Sequence, residues 1–201
     1  MTDKPVYRVG IIGGGRQGTH HARAYQLHPR TEVAAVADTD AENVRLFCER
    51  SGVPGHSSYE EMLAKESLDI SAPVLPVKVN ADAVVASAEA GVGGVFCEKP
   101  LAGCLADADR MVEACASRGI PLAAGLVVSS HPDYLKAYRL AAAGEIGQVL
   151  RVNLYENNQQ VGTHGLNLAR KFADKAQVEL VNGAVSNDPF GAHEEDYGGG
   201  E

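Results

Sequence analysis

The sequence lacks the spacings and runs that mark several common protein classes. Its four cysteines, Cys48, Cys97, Cys104 and Cys115, contain no C-x-x-C pair, which argues against a zinc site or a dithiol redox centre. Scattered thiols of this kind fit a reducing compartment. No apolar run approaches the roughly 20 residues that a membrane helix needs. The opening Met-Thr-Asp-Lys-Pro carries no apolar signal segment. The expectation is a cytoplasmic protein without membrane contact. An excess of positive charge is also missing: the formal net charge is −8 and the pI about 5.4. A net-acidic surface repels phosphate backbones, so nucleic acid is not an expected partner. Internal repeats are absent. Adjacent His20 and His21 do not share a helix face, and no third ligand follows at i+4. They read as helix-start packing or solvent residues, and no metal is expected.

What is present is a regular alternation. The chain has 201 residues, 45% hydrophobic and 22% charged, an ordinary globular composition with room for one domain and part of another. Residues 6–12 predict a buried strand, 19–27 a helix ended near Pro29, and 32–37 a second strand; together they make a βαβ unit of about 30 residues. Helices are predicted over 40–51, 56–65 (from near Ser58), 80–90 and 105–118, and strands over 68–72, 94–97 and 121–128. Such alternation implies a mostly parallel sheet covered on both faces, a doubly wound α/β fold. The pattern then changes. A helix is predicted over 133–143, a strand over 149–155, a loop over 157–160, a helix over 165–173 and a strand over 178–185. From 186 the chain is polar, acidic and glycine-rich, with too little apolar content to order itself. The expected division is residues 1–125 and residues 126–201.

The chemistry starts at Gly13-Gly14-Gly15-Arg16-Gln17-Gly18, directly after the first strand. A pyrophosphate needs backbone N–H donors at the positive end of a helix. Gly13 permits the tight turn, Gly15 the close approach of the phosphates, and Gly18 the packing of helix on sheet. A glycine pattern between a strand and a helix is the context that gives this motif weight. Asp38 ends the second strand, roughly 20 residues beyond the turn, where an acid accepts the adenosine ribose hydroxyls. It repels a 2′-phosphate, and Thr39 follows it instead of a basic residue, so NAD is expected ahead of NADP. Arg16 is the residue that leaves NADP open.

The segments Val9-Gly10-Ile11-Ile12-Gly13-Gly14-Gly15 and Cys97-Glu98-Lys99-Pro100-Leu101 together resemble the Gfo/Idh/MocA family of NAD(P)-dependent oxidoreductases, and Gly162-Thr163-His164-Gly165-Leu166-Asn167 is a looser third match. The resemblance implies a Rossmann domain followed by an α+β domain built on a large sheet, here stopping soon after that sheet begins. It implies oxidation or reduction of a sugar, inositol or related polyol, and homo-oligomers where the second domain is complete. It makes Lys99 and His164 catalytic: Lys99 against the reacting oxygen, after a cis Lys99–Pro100 bond, and His164 as the acid/base. Gly13, Gly15, Arg16, Gln17, Gly18, Asp38, Pro73, Glu98 and Lys99 are the expected cofactor-binding residues. Alcohol oxidation needs a proton acceptor and a cation for the developing alkoxide, and histidine and lysine suit these tasks.

Three positions depart from the family. Gln160 stands where an aspartate often precedes the histidine, and Asn167 replaces the aspartate after it. Ser129-Ser130-His131-Pro132 stands in place of an Arg-Phe pair. Gln160, Asn167 and His131 are the expected substrate-side residues. Two other functions remain open: an NAD-dependent glycoside hydrolase of the same family, and a regulator that senses dinucleotide without turnover.

Overall fold

The computed structural model describes residues 5–155, 159–174 and 176–181, with the side chains of 159–161 outside the description. The chain forms two compact units, Met1–Gly125 and Leu126–Glu201.

The first unit alternates β1 (Tyr7–Ile12), α1 (Arg16–Leu27), β2 (Thr31–Ala37), α2 (Ala41–Ser51), β3 (Gly55–His56), α3 (Tyr59–Lys65), β4 (Ile70–Pro73), α4 (Val77–Glu89), β5 (Gly94–Cys97), α5 (Leu105–Ala116) and β6 (Leu122–Ala124). The six strands pair in parallel in the order β3-β2-β1-β4-β5-β6. Successive residues of a strand face opposite sides, and β1 shows the result. Val9 and Ile11 pack with Ala22 of α1 and Phe47 of α2. Ile12 packs on the other face with Met62 of α3 and Ala83 of α4. A third cluster joins Val84 of α4, Val95 and Cys97 of β5, and Met111 and Cys115 of α5. Each fully buried aliphatic side chain here contributes about 1.5–3 kcal/mol of transfer free energy. Asp40 caps α2 by accepting from the Glu42 amide, Gly52 closes that helix in the left-handed region, and Ser58 caps α3 through the Glu61 amide. The local signals therefore agree with the packing.

Several elements differ from their predicted limits. α1 opens at Arg16 and not at residue 19, because Gly15 is its N-cap; the helix begins on the glycine turn itself. Pro76 starts α4 earlier than predicted. β3 is only two residues long, too short to show a period. β6 ends at Ala124 instead of continuing to 128: β5 stops at Cys97, the Gly125 amide bonds the Cys97 carbonyl, and no partner strand lies beyond it among the described residues. Val127–Ser130 is helical instead.

The second unit contains α6 (Val127–Ser130), α7 (Pro132–Ala142) and α8 (Gln159–Phe172). Tyr138 of α7 meets Phe172 of α8 edge-on at 6.0 Å, the Lys171 ammonium lies 5.1 Å over the Tyr138 ring, and it donates to the Ser129 carbonyl at 3.3 Å. The strands predicted over 149–155 and 178–185 do not form in 149–155 or 178–181. A strand needs a neighbouring strand to complete its ladder, and none pairs with these segments among the described residues. Of the predicted loop 157–160, Gln159 and Gln160 belong to α8, which starts earlier than predicted. Residues 157, 158 and 182 onward lie outside the described residues.

Candidate active site

The C-terminal ends of β1, β2, β4 and β5 form one edge of the sheet, and the residues singled out in the first unit lie there. The chain reverses order at β1, between β2 and β4, the kind of crevice in which open parallel sheets hold ligands. Gly13 has φ +100, and a Cβ on it would meet the Val74 carbonyl; a Cβ on Gly18 would overlap the Gly13 carbonyl. These two glycines hold the turn and let α1 close on it. Gly15 differs. A Cβ there would meet only Asn43 Nδ2, at 3.9 Å, so its hydrogen faces open space. α1 has no side-chain cap and no acid in its first turn. Its first N–H groups are left to an anion from outside. Turn and helix fit a pyrophosphate.

Asp38 grips the same turn. Its Oδ2 accepts from the Gly14 amide at 2.7 Å and from Asn43 Nδ2 at 3.3 Å, and its Oδ1 from the Asp40 amide at 2.9 Å. A carboxylate has about four acceptor positions, so capacity for a ribose hydroxyl remains. Beside it a recess of about 320 Å³ is lined by Gly14, Gly15, Arg16, Thr19, His20, Asn43, Leu46 and Arg50. It contains no carboxylate, and neither Arg16 nor Arg50 has an ion-pair partner among the described residues. Gln17 bonds His20 at 3.1 Å on the exposed side of the first turn.

On the other side of β1, the Pro73 carbonyl accepts from the Glu98 amide at 2.8 Å. This joins the end of β4 to the turn after β5. The Lys99–Pro100 bond is cis. Asn80, fully buried on α4, donates to the Leu101 carbonyl at 3.0 Å and to Cys97 Sγ at 2.8 Å. Burial pushes the Cys97 thiol up to about 11, against the Asn80 hydrogen bond and with the Glu98 charge. Lys99 is half-buried, and its ammonium has no partner among the described residues.

His21 was not recognised from the sequence as part of this site. It is neither a solvent residue nor simple helix-start packing: its Nε2 lies 2.9 Å from Glu98 Oε2, with both side chains 15% exposed. No pattern in the sequence marks a pair 77 positions apart. His20 is exposed, as expected. Among the described residues no group of acids, histidines and cysteines is placed to hold a metal, and no helix is long and apolar enough to cross a membrane.

In the second unit, His164 is 7% exposed and its Nδ1 has no partner among the described residues. Gln160, His164 and Asn167 belong to one helix, α8, and His164 and Asn167, three residues apart, share a face of it. His131 is exposed and caps α7, accepting from the Asp133 amide at 3.3 Å, so local structure accounts for it.

A parallel sheet with this strand order, a glycine turn under an uncapped helix and an acid ending β2 define a dinucleotide-binding Rossmann domain. Residues 7–126 match the Gfo/Idh/MocA oxidoreductase family, NAD-binding Rossmann fold, and the chain belongs to that family. It is 30% identical to the myo-inositol 2-dehydrogenase of Thermotoga maritima over 72% of this chain and 44% of that protein. It is 34% identical to the D-xylose 1-dehydrogenase (NADP(+)) 2 of Haloferax volcanii over 71% and 44%. The crystal structure of the WlbA dehydrogenase of Bordetella pertussis, in complex with NADH and UDP-GlcNAcA, is similar at TM-score 0.67 and 28% identity, over 71% of this chain and 44% of that one. The chain thus spans less than half the length of these relatives.

Proposed function

We propose that the protein is an NAD-dependent dehydrogenase or reductase acting on a carbinol of a sugar, inositol or related polyol. The observation that carries this reading is Lys99: a cation without a described partner, on the turn after β5, at the sheet edge that bears the glycine turn. The relatives named for inositol and xylose oxidation support the substrate class.

NAD, when bound, supplies the hydride acceptor, and in reduced form the donor. Gly13–Gly18 and the start of α1 hold the pyrophosphate, and Asp38 the adenosine ribose. Pro73, Glu98 and Lys99 wall the nicotinamide side, since the two halves of a dinucleotide lie on opposite sides of the switch point. Lys99 donates to the substrate oxygen and stabilises negative charge as the C–H bond breaks. His164 takes the hydroxyl proton on oxidation and returns it on reduction; its unpartnered Nδ1 leaves a ring nitrogen for a polar neighbour. Asn167 and Gln160, whose amides cannot take protons, are proposed to orient hydroxyls, and His131 is the third substrate-side candidate. The free Arg16 and Arg50 beside Asp38 allow NADP as a weaker alternative. The proposed setting is the cytoplasm, with homo-oligomers formed where the second domain is complete.

Replacing Lys99 with Met and following NADH formation across a polyol panel tests the assignment. A loss of about a hundredfold or more is expected for a transition-state contact of this kind; unchanged turnover overturns it. The amides at 160 and 167 favour one second reading, a dinucleotide-sensing regulator. Tight NADH binding with no activity on any polyol would select it.

A further inference from the structure

His21 and Glu98 bridge two elements with different tasks. α1 opens on the pyrophosphate turn; the turn after β5 carries Lys99. An ionised carboxylate only accepts hydrogen bonds, so His21 Nε2–H donates to Glu98 Oε2 at 2.9 Å. The Glu98 side chain is only 15% exposed. The Glu98 amide is tied to Pro73, and a Cβ on Gly125 would stand 3.1 Å from Oε2. The His21 ring lies 6.0 Å from that of Phe96 on β5, tilted by 51°. Glu98 therefore has little freedom while His21 holds it, and Lys99 is the next residue along the chain.

The His21–Glu98 pair stands at the ligand edge of the sheet, where Glu98 follows β5 directly. The apolar contact of α1 with the sheet is made by Ala22 and Tyr25. Within the dehydrogenase reading, on which this inference rests, we propose that His21 is a positioning residue for Lys99. Through Glu98 it ties the helix that holds the pyrophosphate to the turn that meets the nicotinamide end. Misplacing a reacting group by about 1 Å costs on the order of a hundredfold in rate, so such a tie sets the catalytic geometry without touching substrate.

The test uses the whole chain and two readouts. The first is amide hydrogen exchange without ligand. In His21→Ala the Glu98 amide, which reports the bond to Pro73, exchanges about tenfold faster, while β1 and α2 keep their rates. His21→Gln, which restores a donor, recovers most of the protection. The second readout compares NADH with ADP-ribose, which lacks the nicotinamide. His21→Ala weakens NADH about tenfold and ADP-ribose less than twofold. Unchanged exchange at Glu98 overturns the proposal, as does an equal loss of both ligands. A wild-type chain that takes neither ligand overturns the dinucleotide reading, while the exchange readout still decides the His21–Glu98 tie.

Discussion

The carboxylate of Asp38 accepts the amide hydrogen of Gly14 at 2.7 Å, so the acid that ends β2 fastens the turn that follows β1. The residue proposed to read the ribose therefore also holds the backbone proposed to cradle the phosphates. Asp38→Ala should lose both tasks. Leaving the buried Gly14 amide without its acceptor costs about 1–3 kcal/mol, read as a lower urea midpoint. NAD affinity should fall more than NADP affinity, because the negative charge that excludes a 2′-phosphate is gone. Calorimetry with both dinucleotides checks the ratio; a proportional loss of both contradicts the ribose role.

Gly18→Ala is a one-methyl change with a large expected effect. Its Cβ has no place against the Gly13 carbonyl, so α1 must lift from the sheet. Overpacking of this kind costs about 1–3 kcal/mol. Gly15→Ala, with nothing nearer than 3.9 Å, should leave the melting temperature close to wild type and reduce NADH binding. The contrast between the two variants separates a packing glycine from a ligand-facing one.

Asn80 is the buried anchor of the turn that carries Lys99. Asn80→Ala removes the donor to the Leu101 carbonyl and should cost about 1–3 kcal/mol. Asn80→Asp should cost more at pH 7, where an unpaired buried carboxylate is charged. Its folded pKa is raised above the unfolded value, so the deficit relative to wild type shrinks as the pH falls towards about 4. Denaturant melts at two pH values decide the matter.

The Cys97 thiol is raised from an ordinary 9.0 to about 11, chiefly by burial, and that of Cys115 is raised by the same cause. A folded-state pKa above the unfolded one stabilises the protein fully below the unfolded value. That contribution is lost as the pH rises from about 9 through about 11. The fold should weaken across this window, and less so in Cys97→Ser. Site-resolved alkylation at pH 8 should modify exposed Cys104 and spare Cys97 and Cys115.

How far the molecule was readable in advance depended on how local each signal was. The caps at Asp40 and Ser58 are settled by neighbours within a few residues, and the glycine turn by the strand and helix on either side of it. β6 and the segment 149–155 were harder. Their side-chain pattern is that of a strand, but a strand exists only where another backbone accepts its hydrogen bonds. Past Cys97 no strand pairs with residues 126–128 among the described residues. Gln160 reads as loop in the sequence because polar residues in a row carry no period, yet it belongs to α8. His21 was missed for another reason: its partner Glu98 is distant in the chain, and only the folded sheet brings the two together.

Arg16 and Arg50 have a kinetic consequence. The chain carries a net charge of −8, which as a whole repels a dinucleotide. Two arginines without ion-pair partners among the described residues, set beside the positive end of α1, place positive charge at the mouth of the recess. Encounter is therefore governed by a small attractive funnel in a repulsive surface. Added salt, with a screening length of about 8 Å at physiological strength, slows capture of the ligand and leaves its departure nearly unchanged.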